Sequence, residues 1–380
     1  MNKLLMGASV AALSLTAGQA WAQNVSLELD AFITGGIGFL EVDEDFGFDD
    51  DDDTDDINNV AIIRDSEFHV LGEIVSDNGL TFGLQIEVEA GDRDSTTVDR
   101  FELAPGAPDD EGPLVGEFTD ADNDNVIDEA SLFVAGQFGT FELGEQDGAQ
   151  RFAGVGLVTP PFASAQDGGG LLFDFYNDQS GVSLDSTGAN TSDDIKISYF
   201  TPNFSGFSAG VSYIPSTNDN GRGSALNPEI NAIEAGLGYE GSFGGADIAA
   251  GFGYASDVGG PGVDDDQSWG GSLSGGFGGF ILGVSYGWYE DQGAEDDGNT
   301  LGVGAGYGTG PWTVGVDYAV NLEGPEGFDD NQGVAVGASY ALAPGVTTGA
   351  TIEWADSDRE LDDSDVDDSY AAGLWLGINF

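Results

Sequence analysis

The chain contains no cysteine, a single histidine and only 8 lysines and arginines against 69 aspartates and glutamates. Without cysteine, an exported protein must be held by something other than disulfides, and thiolate metal sites and thiol nucleophiles are excluded. The scarcity of cations, with a formal net charge of −61, excludes nucleic acid as a partner. It predicts attraction of cations and repulsion of anions. No run of about 18 apolar residues occurs, so no helix is expected to cross a membrane. No Gly-rich phosphate loop and no zinc-ligand cluster stands out either, and one histidine is a thin basis for hydrolysis. The chain is therefore not read as an enzyme.

What is present points elsewhere. The 62 glycines among 380 residues, about twice the usual share, follow no collagen period. Many alternate with apolar residues, as in Gly302-Val303-Gly304-Ala305-Gly306-Tyr307-Gly308, and a period of two belongs to strands. The 24 Phe, 11 Tyr and 6 Trp recur at strand spacing, against disorder. Residues 1–22 read as a signal peptide, with Lys3, an apolar run from Leu4 to Ala17 and a cleavage site at Ala20-Trp21-Ala22. The remainder, 23–380, has no linker and reads as one unit.

Sixteen candidate strands follow, at about 25–40, 59–76, 79–92, 126–136, 139–147, 193–201, 206–216, 230–241, 245–257, 267–277, 280–290, 298–308, 311–322, 332–341, 345–356 and 369–380. In the third, Leu80, Phe82, Leu84, Ile86 and Val88 share one face, and Thr81, Gly83, Gln85, Glu87 and Glu89 the other. The strands are longer than the five or six residues usual in soluble sandwiches. They suit a membrane crossing of about 9–11 residues. Short connections alternate with long ones, the latter at about 41–58, 93–125, 148–192, 217–229, 258–266, 291–297, 323–331 and 357–368. An exported all-β chain with this rhythm is expected to form a transmembrane antiparallel up-and-down β-barrel in the outer membrane of a Gram-negative bacterium. Aromatics near strand ends, among them Tyr213, Trp288, Trp312 and Trp354, suit an interfacial girdle against the lipid bilayer.

The alternation places many acids inward: Glu28, Glu67, Glu73, Glu87, Glu89, Glu129, Glu142, Asp317 and Glu353. His69 shares the register of Glu67 and Glu73 and reads as a pore-lining polar residue. A lumen negative throughout is expected to favour cations. The acidic runs Asp49–Asp53, Asp264–Asp266 and Asp362–Asp368 suit either a solvated surface or divalent bridges to lipopolysaccharide. Asp120, Asp122, Asp124 and Asp128 have the spacing of a Ca²⁺ loop, with Asn125 in the glycine position and Ser131 in place of the closing Glu. No other cofactor is indicated.

The run Ile197-Ser198-Tyr199-Phe200-Thr201-Pro202-Asn203-Phe204-Ser205-Gly206-Phe207-Ser208-Ala209-Gly210-Val211-Ser212-Tyr213 closely resembles a strand–turn–strand segment of general Gram-negative porins, nearest to the alphaproteobacterial type. Gly136-Gln137-Phe138-Gly139-Thr140-Phe141-Glu142-Leu143-Gly144 resembles another such turn, and the terminal Phe380 fits. The resemblance implies a homotrimer passing small hydrophilic solutes, with a third loop folded inward. That loop, 148–192, would bring Asp167, Asp174 and Asp178 to the constriction. Arg64, Lys196 and Arg151 are the basic residues available to face them, while Glu145 stands where the family commonly carries a base. A substrate-specific channel, or an acidic metal-binding surface barrel, is the alternative reading.

Overall fold

The computed structural model describes residues 25–46, 60–89, 101–103, 114–116, 127–162, 194–216, 231–258, 267–290, 297–323, 331–361 and 364–380. The strands in chain order are β1 Val25–Phe46, β2 Val60–Val75, β3 Thr81–Glu89, β4 Phe101–Leu103, β5 Leu114–Gly116, β6 Ile127–Gly136, β7 Gly139–Glu145, β8 Ile195–Phe200, β9 Phe207–Ile214, β10 Asn231–Phe243, β11 Ala246–Val258, β12 Gln267–Phe277, β13 Phe280–Tyr289, β14 Gly298–Thr309, β15 Trp312–Glu323, β16 Gln332–Ala343, β17 Val346–Leu361 and β18 Ser364–Asn379. A 3-10 helix spans Ala149–Gly156.

Strands β4 and β5 form a separate small hairpin, and the other sixteen close into one barrel. Each barrel strand pairs antiparallel with its neighbour, and β1 meets β18 from Phe32↔Asn379 to Phe46↔Ser364. Closure leaves no edge, so every ladder group is satisfied within the sheet. Sixteen tilted strands at the usual spacing enclose a cylinder roughly 30 Å across between backbones, too wide for side chains to fill.

Period-two patterning sets the two faces, and exposure shows which is which. Ile352 is 61% exposed, while its neighbours Thr351 and Glu353 are 1% and 3% exposed. On β18, Leu374 is 63% exposed and Trp375 8%. The apolar face is the outer one on strand after strand, the reverse of a soluble barrel, and it is matched to hydrocarbon.

The seven short connections are tight turns. Two are built on paired glycines with positive φ: Gly244 and Gly245 at 62° and 87°, and Gly278 and Gly279 at 61° and 89°. Both central residues of such a hairpin turn must sit in the left-handed region.

One expected loop differs. The segment 357–368 is not a long loop, because β17 runs on to Leu361 and β18 begins at Ser364. β1 likewise continues past residue 40 to Phe46 and pairs with this extension. The acidic residues here contain no glycine or proline, so nothing breaks a ladder already in place. Register shifts between Asp356 and Arg359, and between Val42 and Glu44, mark where the extension departs from the barrel.

Candidate functional site

The third long connection enters the barrel. From Gln146 to Phe162 the chain runs as a belt along the inner wall, reaching from β8, where Gln146 Nε2 donates to Ser198 Oγ at 3.4 Å, to β18. The backbone amide of Ala149 donates to Ser212 Oγ at 2.8 Å on β9. The amide of Gly156 donates to Ser272 Oγ at 2.8 Å on β12, whose hydroxyl donates in turn to the Ala153 carbonyl. On β17 the Thr351 hydroxyl lies 3.3 Å from the Pro161 carbonyl and 3.2 Å from that of Phe162. The belt ends with the Phe162 ring 5.3 Å from Trp375 on β18. Ala149, Ala153 and Val158 are 0–2% exposed.

A track of small inward residues makes room for it. A methyl group at Gly236 would overlap the Ala149 carbonyl oxygen, one at Gly251 that of Phe152, and one at Gly304 that of Val158. At Gly283 it would lie 2.6 Å from Val158 Cγ2, and at Gly315 2.8 Å from Pro160 Cα. These glycines occupy five of the six strands from β10 to β15, and each lets the belt lie closer to the wall than a side chain would allow.

The wall the belt does not cover is β1, β2, β3, β6 and β7, and it carries the acids. Inward and part-exposed there are Glu28, Asp30, Glu67, Glu73, Glu87, Glu129 and Glu142, with Glu89 exposed. Gln85 Nε2 donates to Glu129 Oε2 at 3.3 Å, and the Asp147 amide to Glu129 Oε1 at 3.1 Å, joining this wall to the start of the belt. The Arg151 guanidinium stands 4.1 Å over the Phe200 ring on the belt's lumen side, a cation–π contact.

The expected pore residues therefore separate into groups. Glu67, His69, Glu87, Glu89 and Glu142 sit on the open wall, and Arg151 on the belt. Lys196, Asp317 and Glu353 point inward but are 1–3% exposed, so they do not border water as the alternation alone suggested. Arg64 lies in β2, with its side chain outside the described residues. Asp167, Asp174 and Asp178 lie outside them altogether, as do Asp120, Asp122 and Asp124. Asp128 stands in β6, beside the register shift between Ile86 and Val88.

One grouping was not anticipated. His69 Nε2 lies 2.9 Å from Glu67 Oε2, and its Nδ1 3.7 Å from Glu87 Oε2. A signal for it existed: the turn Ser76–Leu80 fixes the β2–β3 register, which puts His69 opposite Glu87.

The barrel and its inner belt invite comparison with solved folds. OmpTdeltaL8, a loop L8 deletion mutant of the outer-membrane protein OmpT of Vibrio cholerae, matches with a TM-score of 0.58 at 15% identity, over 94% of this chain and 99% of that one. The E1M, A104W mutant of Rh. blastica porin matches with a TM-score of 0.58 at 16% identity, over 93% of this chain and 100% of that one. No curated protein sequence matches. The model of the Gram-negative porin family matches residues 8–360. This chain belongs to the Gram-negative porins. The porin is a channel of the outer membrane, and the family accounts for its outward apolar face and its closed sheet. The glycine track and the acid wall are features of this chain's own residues.

Proposed function

We propose that this porin is a homotrimeric channel through which small hydrophilic solutes diffuse passively, with a preference for cations. The observation that carries the preference is the division of the inner wall. The belt covers the far side, and the side left open to water presents seven part-exposed carboxylates on five strands. Among the described side chains, Arg151 is the one exposed base inside the barrel. Carboxylates along one wall of a narrow aqueous pore concentrate cations by ring-type electrostatics, and the effect is screened as salt rises. The sugar-channel alternative is weaker. It needs aromatics along the lumen, and of the inward ones Trp375 is buried beneath Phe162. The acidic runs around Asp120, at Asp49–Asp53, at Asp264–Asp266 and at Asp362–Asp368 further suggest Ca²⁺ binding and divalent bridges to lipopolysaccharide. Reversal potentials across planar bilayers in a KCl gradient test the main reading. A potential of the sign for K⁺ preference is expected, and anion preference would refute it. Crosslinking of the purified protein in detergent should give a three-subunit species.

A further inference from the structure

We propose that Glu67, His69 and Glu87 form a binding site for a first-row divalent transition ion of the Zn²⁺ type on the inner wall of the porin. The site is built by strand geometry. Glu67 and His69 are two residues apart on β2 and so share its inward face. His69 and Glu87 are direct cross-strand partners, as are Glu67 and Glu89. Asp30 on β1 lies opposite His69 on the other side. One donor atom from each of Glu67, His69 and Glu87 falls within 4.8 Å of the other two. Ligands around a tetrahedral Zn²⁺ stand about 3.4 Å apart, given metal–ligand distances of about 2.0–2.2 Å. Side-chain shifts of about an ångström therefore close the set.

The chemistry selects the ion. Two carboxylates alone would suit Ca²⁺ or Mg²⁺, which take oxygen ligands. The imidazole shifts the preference to Zn²⁺, Cu²⁺ or Ni²⁺. With both carboxyls ionised and the histidine neutral, the group carries two negative charges, which a divalent ion cancels. Among the described side chains no lysine or arginine pairs with either carboxylate. The side chains of Glu67, His69 and Glu87 are 22%, 24% and 16% exposed, so a hydrated ion in the lumen reaches them.

The histidine is the only one in the chain, which makes the test clean. Zn²⁺ is titrated calorimetrically into the folded porin in detergent, with millimolar Ca²⁺ present to occupy the acidic segments. One Zn²⁺ site per chain is expected. His69→Ala should weaken it at least tenfold and Glu87→Gln several-fold. Glu240→Gln, an exposed acid on β10 away from the group, should leave it unchanged. Heat-dependent gel migration confirms that each variant is folded. Equal Zn²⁺ affinity in the native chain and His69→Ala, or no Zn²⁺ heat in the native chain, would overturn the proposal. The readout is heat rather than current, so it stands apart from the question of ion selectivity.

Discussion

Replacing Gly251 and Gly304 together by valine should push the belt off the wall without unfolding the barrel. Each new side chain would occupy space now held by a belt carbonyl, of Phe152 and Val158 respectively. Overpacking of this kind costs about 1–3 kcal/mol per site. Between those two points the belt is tied by the Gly156 amide to Ser272 and by Ser272 to the Ala153 carbonyl, worth about 1 kcal/mol each. The strain thus matches or exceeds the local attachment. It is small against the ladders of β11 and β14, which pair along their length on both sides, and valine suits a strand. The belt remains tied at Ser212 and at Trp375, so its middle can move only into the lumen, by about 2 Å, to restore ordinary contact distances. A lumen of roughly 10–15 Å, left after side chains and a belt about 5–10 Å thick are taken from the cylinder, loses roughly 13–20% of its width. Single-channel conductance should fall in proportion, with added current noise. Gly308→Val is the control, on the same face of β14 with nothing within 4 Å of its added carbon, and it should conduct like the native porin. A folded double variant with native conductance and quiet current would refute the belt's placement.

Two further outcomes follow from single contacts. Trp375→Ala removes the ring that holds Phe162 at 5.3 Å and the indole donor to Thr351 Oγ1 at 3.3 Å; freeing the belt's end should raise current noise while lowering barrel stability by about 3–5 kcal/mol. Gly83→Val on β3 drives a side chain into the Phe133 ring. It should lower the temperature at which the barrel unfolds in gel migration, and adding Phe133→Ala should restore most of the loss. A double-mutant cycle with no coupling would contradict that contact.

Much of the barrel was legible because its signals are local. Alternation such as Phe82-Gly83-Leu84 names a face within a few residues, and paired glycines such as Gly278-Gly279 name a turn. The misread stretch near 357–368 had charge without glycine or proline, and charge alone does not stop a strand whose partners are in place. The site was harder to read, because alternation says which residues point inward but not what covers them. Asp317 and Glu353 read the same as Glu87, yet they are buried and Glu87 is not. The glycines at 236, 251, 283, 304 and 315 were visible as a strand pattern. Their second meaning, a path for another segment, emerges only when β10, β11 and β13–β15 are set side by side. The His69–Glu87 pairing likewise needed a register, which the Ser76–Leu80 turn encodes but residue spacing on one strand does not.

Swelling of liposomes that carry the purified porin, in isotonic solutions of sugars of increasing size, tests the water-filled channel most directly. The swelling rate should fall smoothly with solute size, without saturation and with little dependence on stereochemistry. Liposomes that swell no faster than protein-free ones, although the barrel is folded, would contradict an open channel.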